Sequence, residues 1–242
     1  MRDLFTSDVV MKQPMVVGYK GEIGSFLLHG LLEIMPKALD IWCVDINESA
    51  AEVRQRIRRA DTIFLCVPLE DTVGWLWRHK KLLMGKVIVE QCSLKEWLYE
   101  EGKLNGLDIR SMHVLFRPSQ TPNPDDRRVG LFEGQFNQTL AKNIGEMTRS
   151  QVVWYKDAQE HDREMAVQQA LLHRTLLVMG KLLKECSGST FISKRTLELS
   201  ERIKKGKLDL YRKIQENRYL PARLDEMKKE FDNFNIEAFW PC

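Results

Sequence analysis

Short apolar runs alternate with amphipathic stretches over the first two thirds of the 242-residue chain. Seven of these runs are predicted strands, and the first four are apolar almost throughout. A strand without polar alternation is typical of a parallel sheet that helices cover on both faces. The predicted strands are Met15–Val17, Ile41–Val44, Thr62–Val67, Lys86–Val89, Ile109–Leu115, Val129–Phe132 and Gln151–Tyr155, with a helix at Asn137–Met147. We therefore expect an α/β domain, Rossmann-type with a mainly parallel sheet, over residues 1–156.

The pattern changes after the seventh predicted strand. From residue 157 onward the apolar positions follow helical spacing, with no convincing strand. Breaks at Gly188, Gly206 and Pro221 divide the region into several helices. The first and longest of them has its apolar side at Met165, Leu172, Leu176, Met179 and Leu183. A helix this apolar needs a partner surface in a domain of this size. We therefore expect the all-helical domain, residues 157–242, to form a homodimer.

Composition and charge narrow the class of protein. The chain is 43% apolar and 29% charged, which is typical of a globular protein, and its net charge of +3 is too small to indicate a nucleic-acid partner. The five cysteines form no C-x-x-C pair, which fits a reducing compartment, and we predict no metal site. The sequence has neither a signal-peptide core nor an apolar run near the roughly 20 residues of a bilayer span. We expect a cytoplasmic protein without a membrane partner.

The first predicted strand leads into a glycine-rich turn, from which an amphipathic helix leaves. A dinucleotide pyrophosphate needs this arrangement, because glycines let the backbone approach the phosphates and the helix N-terminus binds the anion. The spacing departs from the usual G-x-G-x-x-G, since Tyr19 stands where the first glycine belongs and Gly18 lies one residue earlier. The predicted cofactor-binding residues of the turn are Gly18, Tyr19, Gly21, Glu22, Ile23 and Gly24. A tight turn with close helix–strand packing is the alternative interpretation.

Asp45 follows the second predicted strand, about twenty residues after the glycines, where an acid can bind the hydroxyls of the adenosine ribose. An acid at this position favours NAD over NADP, because it would repel a 2′-phosphate. The alternative is a turn or helix-cap residue.

Two polar side chains are predicted at the carboxyl edge of the sheet, where ligands bind in open α/β folds. His113 lies at the end of the fifth predicted strand and Ser93 follows the fourth. A histidine there can exchange a proton near neutral pH, and a hydroxyl can orient the imidazole or a nicotinamide. The alternatives are a structural histidine and a helix N-cap at Ser93, with Glu96 completing a capping box.

The polar side of the long helix carries an acid, an amide and an imidazole. Five positions fall within one stripe at 100° per residue, and they are Asp162, Ala166, Gln169, His173 and Gly180. The stripe predicts the wall of a polar site. A helix that faces water or an internal polar network is the alternative.

Several motifs resemble those of the prephenate/arogenate dehydrogenase family of tyrosine biosynthesis. Three segments that follow predicted strands are similar to the family's Val-Pro-x-x-x-Thr, acid-x-x-Ser-x-Lys and His-Pro-Met-Phe-Gly-Pro elements. They are Val67-Pro68 with Thr72, Glu90-Gln91-Cys92-Ser93-Leu94-Lys95, and His113-Val114-Leu115-Phe116-Arg117-Pro118. The most specific match is Glu160–His173, which closely resembles the family's Glu-His-Asp…Met-Ala…Gln-Ala-Leu-x-His helix. Later, Arg202, Tyr211 and Glu216-Asn217 are similar to its substrate-binding arginine, aromatic and Glu-Asn.

The resemblance implies NAD-dependent oxidative decarboxylation of prephenate to 4-hydroxyphenylpyruvate in a site between the two domains. His113 would be the catalytic histidine, Ser93 would lie near it and the nicotinamide, and Arg202 would bind the ring carboxylate. The resemblance also implies that His173, Gln169 and Tyr211 line the substrate pocket and that Val67, Pro68 and Thr72 contact the cofactor. For Arg202 the alternative is an ordinary ion pair with Glu198, four residues earlier.

Three departures from the family pattern leave the substrate open. Val114 replaces a proline, Arg117 replaces a glycine, and Ser119 stands where an acid is common. We hypothesise that Arg117 adds a second cation for the side-chain carboxylate of prephenate, although a loop arginine is more often a surface residue. The alternatives are arogenate or amino-deoxyprephenate as substrate, another β-hydroxyacid-type dehydrogenase, and a regulatory nucleotide-binding relative without turnover.

Overall fold

The computed structural model describes residues 11–35, 40–100, 104, 106–206 and 208–234. The chain divides into two compact units, Met1–Ala158 and Gln159–Cys242. None of the helices in the described ranges combines the length and the apolar character that crossing a bilayer requires.

Unit 1 is built on a sheet that has seven strands in the described residues, in the order β2-β1-β3-β4-β5-β6-β7. Neighbouring strands are parallel except β5 and β6, which are antiparallel. The strands are β1 (Pro14–Val17), β2 (Trp42–Val44), β3 (Thr62–Leu65), β4 (Val87–Glu90), β5 (Asp108–Val114), β6 (Arg128–Phe132) and β7 (Gln151–Tyr155). The predicted fold class, a mainly parallel Rossmann-type sheet, is confirmed.

Helices connect these strands. They are α1 (Glu22–Ile34), α2 (Ala50–Arg59), α3 (Leu69–Leu83), α4 (Glu96–Glu100) and α5 (Gln138–Thr148), with short 3₁₀ turns at Pro118–Gln120 and Pro124–Asp126. Local chemistry sets the helix starts: Ser49 and Glu52 form a capping box before α2. At α5 the side chain of Asn137 accepts the N–H of Leu140, so Asn137 is the cap of the helix rather than its first residue.

Two apolar cores lie on opposite faces of the sheet. Because successive residues of a strand point to opposite faces, Val16 belongs to one core and Met15 to the other. The first core is shared with α1 and α5, for example with Leu27 and Ile144, and the second with α2 and α3. Both faces are covered, which explains why β1 to β4 are almost unbroken apolar runs.

Unit 2 is helical throughout its described residues. Its elements are α6 (Ala158–Met165), a π-helix (Ala166–Leu171), α7 (Leu172–Leu183), α8 (Phe191–Lys204), α9 (Leu208–Gln215) and α10 (Leu220–Asp232). The long helix that the sequence predicts therefore consists of α6, the π-helix and α7. The stripe at 100° per residue assumes a regular α-helix, and the wider π turn alters that register after Met165.

Unit 2 has a small core in its described part. Three buried residues form it, Ala170, Ile214 and Leu220, with Leu171, Tyr211 and Leu224 packed around them. The helices α7 and α8 meet at Gly180, where a Cβ atom would overlap the side chain of Ser200.

Candidate active site

The glycine-rich turn after β1 is tight for identifiable reasons. Gly18 has a φ of +79°, and a Cβ atom there would overlap the carbonyl oxygen of Cys66 in the loop after β3. A Cβ atom at Gly24 would overlap the carbonyl of Gly18. The turn is closed by the N–H of Gly21, which donates to the Gly18 carbonyl at 3.0 Å. The first and third glycines are therefore required by packing.

The same turn leaves donors available at the start of α1. The first hydrogen bond of the helix runs from the Ser25 N–H to the Gly21 carbonyl at 2.8 Å, and Gly21 has no side chain with which to cap the helix. Within the part of the chain that the structure describes, the N–H groups of Glu22, Ile23 and Gly24 have no backbone or side-chain acceptor. Three donors at the positive end of a 13-residue helix fit the pyrophosphate of a dinucleotide.

Asp45 links the turn to the end of β2. Its Oδ2 accepts the N–H of Lys20 at 2.9 Å and its Oδ1 accepts the N–H of Ile46 at 2.8 Å. The N–H of Asp45 donates to Glu48 Oε2 at 2.6 Å. A carboxylate has about four acceptor sites, so this turn role leaves capacity for ribose hydroxyls. Both interpretations of Asp45 are thus compatible with its contacts.

Thr72 is a fully buried residue of α3. Its hydroxyl donates to the Pro68 carbonyl at 3.0 Å and lies 3.3 Å from Cys92 Sγ. Val67 packs against the second core. These contacts fix the segment between β3 and α3, and they occupy the threonine hydroxyl within the protein.

A buried ion pair organises the edge at β4 and β5. The Lys95 Nζ atom donates to Glu90 Oε1 at 2.7 Å and to the Met112 carbonyl at 2.8 Å, and both charged side chains are fully buried. The other oxygen of Glu90 accepts the N–H of Cys92 at 2.7 Å. This pair is not predicted from the sequence, although an acid and a lysine five residues apart after a strand are a signal for it.

This ion pair holds the segment that contains Ser93 against the strand that contains His113. Ser93 is half-buried and lies between Glu90 and Lys95 along the chain. His113 directly follows Met112 and is 4% exposed. On the other side of β5 it is opposite Gly130, whose missing side chain leaves room for the ring of Tyr155. The structure therefore brings Ser93 and His113 to the same edge as the glycine-rich turn.

The loop after β5 is tied to the start of α1 by one carboxylate. Arg117 Nε donates to Glu22 Oε2 at 2.9 Å, while the N–H and the hydroxyl of Ser119 donate to Glu22 Oε1 at 2.9 and 2.5 Å. Burial by itself would raise the pKa of Glu22, but the bonds from Ser119 and Arg117 outweigh burial and lower it. Glu22 is therefore a carboxylate at neutral pH.

In unit 2 two residues of the predicted stripe have buried polar atoms without a partner. Within the described residues, Gln169 Oε1 and His173 Nδ1 make no hydrogen bond. The ring of His173 packs edge-on against Tyr211, with 5.3 Å between the centroids. Burial lowers the pKa of His173, so the imidazole is neutral near pH 7. Buried polar groups normally have partners, so the two atoms are available to a polar ligand or to water.

Side chains from the end of α9 and from the residues after it bond to carbonyls of α6 and of the π-helix. Gln215 Nε2 donates to the Ala170 carbonyl at 2.9 Å, and Asn217 Nδ2 donates to the Asp162 carbonyl at 2.7 Å. Asp162, the first residue of the stripe, has its carboxylate 2.8 Å from His161 Nδ1. For Asp162 the internal polar network is therefore what the structure shows.

Arg202 is an exposed residue of α8. The alternative ion pair with Glu198 is absent from the described structure, in which Glu198 accepts from Arg195 Nη1 at 2.8 Å. Arg202 lines an open cavity of about 370 Å³ together with Leu197, Glu198, Glu201 and Lys205.

No family model and no curated protein matches the sequence. Solved structures do match. A putative prephenate dehydrogenase from Corynebacterium glutamicum superposes with a TM-score of 0.72 at 16% identity, over 93% of this chain and 81% of that one. Synechocystis arogenate dehydrogenase superposes with a TM-score of 0.62 at 18% identity, over 91% of this chain and 90% of that one.

Prephenate dehydrogenase from Aquifex aeolicus gives a TM-score of 0.61 at 17% identity, over 94% of this chain and 95% of that one. The similarity to these three structures is one of fold, since fewer than one residue in five is identical. The chain has the fold of the prephenate and arogenate dehydrogenases, the family that its motifs resemble.

Proposed function

We propose that this protein is an NAD-dependent prephenate dehydrogenase. The observation that carries the proposal is the placement of His113 and Ser93, by the buried Glu90–Lys95 pair, at the edge that also bears the glycine-rich turn. The fold shared with three prephenate or arogenate dehydrogenases supports it.

Residues of the first unit would hold the cofactor. The free N–H groups at Glu22, Ile23 and Gly24 would bind the pyrophosphate, and Asp45 would accept the ribose hydroxyls. A second phosphate on that ribose would lie against the Asp45 carboxylate, which favours NAD over NADP. When bound, NAD⁺ accepts the hydride that leaves the hydroxyl-bearing carbon of the substrate.

His113 would take the proton of the ring hydroxyl as the hydride leaves. Its low exposure keeps water from the imidazole. Ser93 would orient the ring of His113. The ring carboxylate then leaves as CO₂ and the six-membered ring becomes aromatic. Because loss of CO₂ drives the reaction, the protein has mainly to align the reacting atoms.

The second unit would bind the substrate. Arg202 carries a planar guanidinium that can hold the ring carboxylate with two parallel hydrogen bonds. The unpartnered atoms of Gln169 and His173, with the ring of Tyr211, would form the wall of the pocket. The reaction requires the guanidinium of Arg202 and the imidazole of His113 to reach one substrate molecule, in one chain or across a dimer.

Arogenate is the second candidate substrate, because Synechocystis arogenate dehydrogenase has a similar fold. The two compounds differ in the side chain, where arogenate has an amine in place of the prephenate ketone. Formation of NADH from NAD⁺ with each compound in turn, at matched concentrations, decides between them. Calorimetric titration with NAD⁺ and with prephenate separates a binding protein from an enzyme: binding without NADH would reject the proposed activity.

We also propose a homodimer formed through unit 2. Large apolar side chains of α7 and α8 are exposed, among them Val178, Leu182, Phe191 at 74% and Ile192 at 75%. Exposed patches of this kind mark interaction surfaces, and a symmetric pair of the same surface is the commonest solution. Sedimentation velocity should give the dimer mass. A monomer at micromolar concentration would contradict this part of the proposal.

The expected cytoplasmic location stays a prediction. It is supported by Cys43, Cys66, Cys92 and Cys186, which are free thiols in the structure.

A further inference from the structure

Two of the departures from the family pattern meet at one carboxylate. Arg117 and Ser119, which replace a glycine and a commonly acidic residue, both donate to Glu22, at 95 and 97 residues' separation along the chain. Glu22 in turn is the first residue of α1, where the cofactor pyrophosphate is proposed to bind. The three residues therefore form one unit, which we call the Glu22 clasp.

A carboxylate in this place raises an electrostatic question. The first turn of a helix attracts negative charge, so Glu22 is stable there without a ligand. A pyrophosphate bound to the neighbouring N–H groups would share the same end of the helix with that carboxylate. Like charges at such short range repel each other, and the repulsion weakens binding of the anion unless a cation compensates.

Arg117 is the cation that the structure supplies. Its Nε is 2.9 Å from Glu22 Oε2, and the two side chains are 49% and 33% exposed. The loop that carries it is anchored next to α1 as well: Phe116 packs edge-on against Phe26 at 5.4 Å, and the guanidinium of Arg127 lies 5.6 Å from both ring centroids. Arg117 is thus held at the phosphate end of α1 by contacts that do not involve substrate.

We infer that Arg117 is a positioning residue for the cofactor, which neutralises Glu22 beside the pyrophosphate and holds the loop closed over the turn. The inference rests on the proposed function, because it presupposes a dinucleotide at α1. It assigns to Arg117 a role different from the hypothesis that this arginine binds the side-chain carboxylate of prephenate.

The test is the affinity for NADH, measured by fluorescence titration, in four proteins that differ in the charge of the clasp. The affinity for NADH should rise as the net charge of the clasp becomes more positive. Arg117→Ala leaves an uncompensated carboxylate and should weaken binding about tenfold. Glu22→Gln leaves an uncompensated guanidinium and should tighten binding about threefold. The double variant restores a neutral pair and should bind within about twofold of the unchanged protein.

Salt and a conservative variant sharpen the result. The effect of Arg117→Ala should shrink at high ionic strength, because screening reduces the repulsion. Arg117→Lys keeps the charge and should retain most of the affinity, which also shows that loss of charge rather than misfolding weakens Arg117→Ala. The matched control is the ion pair of Arg149 with Glu33 at the other end of α1, 2.9 Å apart, whose removal should leave NADH affinity unchanged.

Two results overturn the inference while the proposed function stands. If the double variant binds NADH as weakly as Arg117→Ala, the guanidinium contacts the cofactor directly. If Arg117→Ala binds NADH normally and only the KM for prephenate rises, the arginine serves the substrate. Absence of NADH binding by the unchanged protein rejects both the inference and the proposed function.

Discussion

Unit 1 and unit 2 differ in how completely they bury their apolar side chains. Unit 1 places a sheet between two cores and buries residues such as Leu27, Leu31 and Phe64 completely. In unit 2 the described residues bury six apolar side chains, only three of which form a core cluster, while Leu182 and Phe191 remain more than half exposed. The contrast supports the proposal that unit 2 pairs with a second surface, whereas the described part of unit 1 buries its apolar side chains within itself.

The polar groups show a related contrast. In unit 1 the charged pair of Glu90 and Lys95 is fully buried, and its members make three contacts: the ion pair itself and hydrogen bonds with Met112 and Cys92. In unit 2 the described residues Gln169, His173 and Ser200 each have a buried polar atom without a partner, and the first two lie on the stripe proposed to face the substrate. Unit 1 thus completes the hydrogen bonding of this pair internally, whereas Gln169 and His173 each keep one buried polar atom for the proposed substrate.

The largest expected effect concerns chemistry at the edge of unit 1. His113→Asn removes the proposed proton acceptor and should lower kcat by about 10²–10⁴-fold, while NAD⁺ affinity stays within about threefold. The rate of NADH formation gives kcat, and calorimetric titration gives the affinity for NAD⁺. Equal activity of the variant would place the proton transfer elsewhere.

The buried pair gives the next largest effect. Lys95→Met leaves the Glu90 carboxylate buried without its cation, and should cost about 3–5 kcal/mol of unfolding free energy. Five of the six tryptophans lie in unit 1, so the fluorescence transition in urea reports on this unit. Adding Glu90→Gln should recover much of the loss. No difference between the single and double variants would show that the charge pair is not what stabilises the segment.

A matched pair of leucine truncations tests the comparison of the two units. Leu27→Ala empties a fully buried position and should lower the unfolding free energy of unit 1 by about 2–5 kcal/mol. Leu182→Ala, at a position 52% exposed, should change stability by less than about 0.5 kcal/mol but weaken the dimer. Urea titration and sedimentation velocity measure the two effects. An unchanged dimer would remove Leu182 from the proposed interface.

The smallest expected effect concerns His173. Burial lowers the pKa of His173 below the ordinary 6.5. Below about pH 6.5 the unfolded chain therefore binds a proton at this residue more readily than the folded chain does, and the free energy of unfolding falls as the pH drops. His173→Phe should abolish that pH dependence, and it should stabilise the protein by about 1 kcal/mol at neutral pH while raising the KM for substrate. Unfolding measured between pH 5 and 7 checks the sign. A variant less stable than the parent would show that Nδ1 has a partner.

Most of the sheet could be predicted from the sequence, because both of its faces are covered and β1 to β4 are therefore almost unbroken apolar runs. Differences are confined to strand ends: β3 ends at Leu65 rather than at the predicted Val67. The edge positions of Ser93 and His113 follow from strand order, since parallel strands end at one edge.

The Glu22 clasp could not be predicted, because its members are almost a hundred residues apart and no local pattern connects them. The π-helix is similar. It depends on Gln215 and Asn217, which bond to carbonyls 45 and 55 residues earlier, so the periodicity of the helix itself holds no sign of it.

In the proposed reaction, one substrate molecule loses a hydride and CO₂ in the same turnover. The most direct test is the ratio of NADH to CO₂ when the purified protein receives NAD⁺ and prephenate. We predict equal amounts of both, with 4-hydroxyphenylpyruvate as the remaining product. Binding of NAD⁺ and prephenate with neither product formed would contradict the account and leave a non-catalytic relative with the same fold.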